Sequence, residues 1–73
     1  MNIYENINFL NVCLETSRNI IQRKKIYRKD YDFIVISLKL CLDFYDKDNN
    51  QVRYKDLYNK FLVILDLAYN KFN

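Results

Sequence analysis

Glycine and proline are absent from this sequence, and so are histidine and tryptophan. Without glycine there is no phosphate-cradling loop, no dinucleotide-binding fingerprint and no Asn-Gly hairpin turn, which argues against a nucleotide-binding enzyme. Without histidine there is no imidazole base, no His-containing triad and no Cys/His zinc finger. The two cysteines, Cys13 and Cys41, are too few for a disulfide scaffold or a four-ligand zinc site. Their expected role is that of buried reduced thiols filling small core positions. No metal, no cofactor and no catalytic residue is expected, and the chain does not read as an enzyme. Charges interrupt every apolar stretch before membrane-spanning length. No basic start with an apolar run and a small-residue cleavage site opens the chain. The expectation is a cytoplasmic protein with no membrane association.

What is present points to a small folded unit. Its 73 residues are expected to form one domain, 1–73. A composition 51% hydrophobic and 16% aromatic is too apolar for a disordered chain. Twelve Lys plus Arg against nine Asp plus Glu give a net charge of +3, which sets solubility more than it names a partner.

Ile3, Ile7, Leu10, Leu14, Ser17 and Ile21 recur at alternating steps of four and three, the spacing of one helical face. Lys25 and Arg28 would fall on the continued stripe, so this helix should end by about residue 24. Tyr31, Ile34, Leu38, Cys41 and Tyr45 define a second helix, widened by Val35 and Leu42, with Asp30 or Asp32 as its expected N-cap. A buried strand competes over FIVISLKL, but the helical period persists to Tyr45 without a Gly or Pro break. Residues 46–51, DKDNNQ, concentrate the short polar turn formers. Beyond them Tyr54, Leu57 or Tyr58, Phe61, Leu65, Ala68 and Phe72 restore the period. Helices of roughly 20, 15 and 20 residues joined by short turns give an all-α, three-helix up-down-up bundle.

The middle helix carries more apolar surface than one partner face requires. Phe33, Ile36, Leu40 and Phe44 lie well round from its main stripe, leaving a narrow polar sector near Asp32, Lys39 and Asp43. Val63 and Leu67 likewise lie away from the Phe61 face of the third helix, and Phe9 and Ile20 flank the main stripe of the first. The reading drawn from this surplus is a protein interface at Phe33, Ile36, Leu40, Phe44, Val63 and Leu67, with a two-fold homodimer as the simplest association. Enclosure of the middle helix within one monomer is the competing arrangement.

Half of all basic residues fall within twelve positions: Arg18, Arg23, Lys24, Lys25, Arg28 and Lys29. They should gather where the first helix ends, joined by Lys71, and cations at helix C-termini are stabilising in their own right. The same cluster could contact nucleic-acid phosphates or an acidic protein surface, with Tyr27 placed to cap the core or stack on a base. Asp46, Asp48 and Asn50 match the start of a calcium loop, but Gln51 and Leu57 stand where glycine and glutamate are needed, so the stretch reads as a turn. The functional expectation is a small protein-binding module, an inhibitor or adaptor acting through an apolar helix face. The alternative is a nonspecific nucleic-acid-binding bundle using the basic pole.

Overall fold

The apolar spacing of the first nineteen-residue helix, α1 (Ile3–Ile21), buries Leu10, Leu14 and Ser17 as the sequence suggests. Asn2 caps it, its Oδ1 accepting the Glu5 N–H at 2.9 Å. The helix stops where the stripe turns basic, after Ile21. The computed structural model describes residues 2–72, and within them α2 (Arg28–Lys47) and α3 (Val52–Phe72) complete an all-α, up-down-up three-helix bundle. The bundle measures 37 × 16 × 16 Å, the length of one helix and the width of two. FIVISLKL is helical throughout.

Both ends of α2 lie outside the expected bounds. It starts two residues before Asp30, with Tyr27 in the N-cap position. Asp30 therefore acts from the third helical position, its Oδ2 accepting the Tyr27 N–H at 3.1 Å, which is the reciprocal half of a capping box. Asp32 instead pairs with Arg28 one turn back, at 3.0 Å. At the other end the helix runs on through Asp46 and Lys47, reaching 20 residues rather than about 15. Asn49 and Asn50 then reverse the chain with φ of 57° and 58°. In a sequence without glycine, asparagine is the residue best able to occupy that left-handed region.

The core is rotated relative to the apolar stripes. In α2 it centres between them, on Asp30, Ile34, Ser37, Leu38 and Cys41, so Ser37 is buried and Leu42 is exposed. Ile20 is buried rather than flanking, Ile64 takes the buried place expected of Leu65, and Ile26 closes the α1–α2 turn from inside. Ser17 and Ser37 bring small side chains to helix contacts, where side-chain size sets interaxial distance. Each hydroxyl donates to the carbonyl one turn earlier, Cys13 at 2.8 Å and Phe33 at 2.9 Å, so neither is left unsatisfied.

Candidate association surfaces and the basic pole

Three seams run along the bundle, and aromatic contacts identify the one between α2 and α3. Tyr31 stacks on Phe72 with centroids 5.8 Å apart and meets Tyr69 at 6.4 Å. Further along, Leu42 and Tyr45 of α2 join Tyr54, Lys55 and Tyr58 of α3 around a cleft of about 170 Å³. The flank of α2 bearing Tyr31, Leu42 and Tyr45 thus belongs to α3, and the opposite flank turns toward α1.

Two polar ties set the α1–α2 register. Asn6 Nδ2 donates to Asp48 Oδ2 at 3.2 Å near one pole, and Arg23 Nη1 donates to Asp30 Oδ1 at 3.2 Å near the other. Toward the Asp48 pole Phe44 also meets Tyr54 of α3, with ring centroids 6.0 Å apart. Of the four residues proposed on this flank of α2, Phe33, Leu40 and Phe44 are half-buried and packed against the core. Only Ile36, at 63% exposure, stands free of it. Their half-burial has a geometric cause: with the core centred near Ser37, one edge of the second stripe falls inside the bundle. Sequence reasoning missed Val12, which is 64% exposed on α1 and extends the same face together with Phe9. Val12 was hidden because it lies outside the helical repeat used to read α1.

Val63 and Leu67 occupy a different seam. With Ile64 and Lys60 of α3, and Arg18 and Ile21 of α1, they line an open groove of about 310 Å³. Val63 is 62% and Leu67 46% exposed, so this groove has an apolar rim. The expected interface residues therefore divide between two faces of the bundle.

The basic cluster does gather at one pole, and much of it has local work there. Arg23 pairs with Asp30, and Arg28 pairs with Asp32. Lys25 Nζ lies 5.4 Å from the centre of the Tyr27 ring, an exposed cation–π contact. Lys71 reaches across from α3, its Nζ donating to the carbonyls of Ile21 and Arg23 where α1 ends. Arg18 stands apart in the α1–α3 groove. Lys24 and Lys29 remain exposed at the pole.

At the opposite pole Asp48 is a structural fastener. Its Oδ2 accepts from Tyr54 Oη at 2.5 Å as well as from Asn6, tying the second turn to α1 and α3. Burial, followed by this carboxylate contact, raises the Tyr54 phenol above its ordinary pKa. Among the described residues Asn6 Oδ1 is buried without a hydrogen-bond partner. Both cysteines are free and buried; Cys41 Sγ donates to the Tyr54 carbonyl at 3.1 Å, and burial pushes its thiol up to about 11. Among the described residues no group of three or more His, Cys, Asp or Glu converges as a metal site. No helix among them is long and apolar enough to cross a membrane.

No family model matches this chain, and neither a curated protein nor a solved structure is significantly similar to it.

Proposed function

We propose that this chain is a protein-binding module whose central contact is the α1–α2 face and whose first partner is a second copy of itself. The observation that supports this reading is Ile36, 63% exposed near the middle of α2, with Val12 and Phe9 exposed on α1 one to two helical turns nearer the Asp48 end. A single exposed isoleucine is ordinary, whereas several large apolar side chains on one face, with an aromatic at the edge, favour association. Charge along this face also suits self-pairing. Glu5 and Asp43, with Lys47 beyond them, lie toward one end, and Lys24 and Lys29 toward the other. A two-fold axis through the centre would set each acidic end beside the partner's basic end. Acting on a further protein, such a module would work by occluding a surface, as an inhibitor or adaptor does.

Sedimentation equilibrium over a range of protein concentrations tests the reading. The expected result is a mass rising toward twice that of the chain, and reduced to that of one chain by Ile36→Asp with helical circular dichroism unchanged. A monomer mass at every concentration would reject it. Binding to duplex and single-stranded nucleic acid, measured at two salt concentrations, addresses the basic pole. Salt-sensitive binding lost on reversing Lys24, Lys25 and Lys29 would favour nucleic acid as the partner instead.

A further inference from the structure

We infer that the α1–α3 groove is a second docking site, independent of the self-association face, and that its occupant is an amphipathic helix of a partner protein with acidic residues flanking its apolar stripe. Three observations converge on this groove. Its base and rim are aliphatic, from Ile21, Val63, Ile64 and Leu67, with Val63 and Leu67 substantially exposed. Its cations, Arg18 on α1 and Lys60 on α3, face it from both helices. Among the described residues neither cation enters an ion pair, although Glu15 and Asp56 lie within a helical turn of them along their own helices. The guanidinium of Arg23 and the ammonium of Lys71 are engaged within the fold, so positive charge in the groove is surplus to what the bundle uses.

The shape favours a helix over other ligands. Lys60, Val63, Ile64 and Leu67 follow the i, i+3, i+4, i+7 pattern, forming a ridge about 10 Å long beside a parallel neighbour. An incoming helix with large apolar residues at the same spacing would seat them between the two ridges and complete a four-helix bundle. A groove of about 310 Å³ that opens to solvent lies at the small end of the range for enclosed small-molecule sites. A phosphate backbone would satisfy the cations but leave the aliphatic floor without a partner. Carboxylates beside an apolar stripe satisfy both, and opposite charge at the rim guides encounter and fixes register.

The test is selection from a displayed library of peptide helices, with Leu, Ile or Phe at i, i+4 and i+7, and Glu, Gln or Lys at the flanking positions. The full chain serves as bait. Glu-flanked helices should be enriched, and Arg18→Glu with Lys60→Glu should weaken the best of them at least about tenfold while shifting enrichment to Lys-flanked helices. Val63→Asp with Leu67→Asp should abolish binding with helical circular dichroism unchanged, and the milder Val63→Ser with Leu67→Ser should weaken it. Ile36→Asp should leave binding intact, so this proposal and the dimer can fail separately. Enrichment indifferent to flanking charge, binding that survives the Val63 and Leu67 changes, binding lost with Ile36→Asp, or no helix recovered above background would each overturn the inference.

Discussion

Ile36 and Leu38 lie two positions apart on one helix and should behave oppositely on substitution. Leu38 is buried against the core, so Leu38→Ala removes packed methyl groups and should lower unfolding free energy by about 2 to 5 kcal/mol in urea titration. Ile36→Asp changes a solvent-facing side chain and should move that free energy by less than about 0.5 kcal/mol when measured under monomeric conditions. Cys41 carries a pH signature. Its folded thiol titrates near 11 against an ordinary 9.0, so the unfolded chain releases its proton first. Stability is then fully present below the ordinary value and lost as pH rises through the folded one, a fall to which the raised Tyr54 phenol adds. Thermal melts between pH 8 and 11 should show this decline, and Cys41→Ala should make it shallower.

At the scale of the element, the two turns differ in how they hold. The first is closed by Asp30, which serves both the Tyr27 N–H and Arg23, and by Ile26 packed beneath it. The second depends on Asn49 and Asn50 in left-handed geometry. Asn49→Ala should cost about 1 kcal/mol, whereas Asn49→Gly should be neutral or slightly stabilising, a contrast that equilibrium unfolding resolves. The Asp48 fastener ties this turn to the helices on either side, so Tyr54→Phe should cost about 1 to 3 kcal/mol through the hydrogen bond lost and the polar groups left facing a bare ring. These features also explain why α2 was longer than its apolar stripe implied. Turn-forming composition marked residues 46–51, but Asp46 and Lys47 sit on the outer surface, where a helix accepts polar side chains as readily as a turn does.

For the whole molecule, the consequence of three helices and one small core is that apolar side chains outnumber the places inside. α2 packs most extensively on α3, through the Tyr31, Tyr45 and Tyr58 side of the seam. That leaves α1 with apolar residues on both of its outer flanks, at Val12 on one side and beside the Val63–Leu67 groove on the other. Two separate faces predict separable behaviour: Ile36→Asp should act on self-association alone, and Val63→Asp with Leu67→Asp on helix docking alone. Analytical ultracentrifugation and peptide binding on both variants would resolve the two.

Periodicity was enough to establish the helices, their order and the bundle, because a repeat near 3.6 residues is a property of the chain that any packing partner must accept. The gathering of cations at the pole followed as well, since helix lengths and short turns dictate which ends meet. Rotation of each helix about its axis was decided only by tertiary packing. It turned Ser37 inward, drew Phe33, Leu40 and Phe44 half into the core and left Ile36 outside. A face of a helix is a range of angles, and the choice within that range depends on what the neighbouring helices present, which no single segment contains.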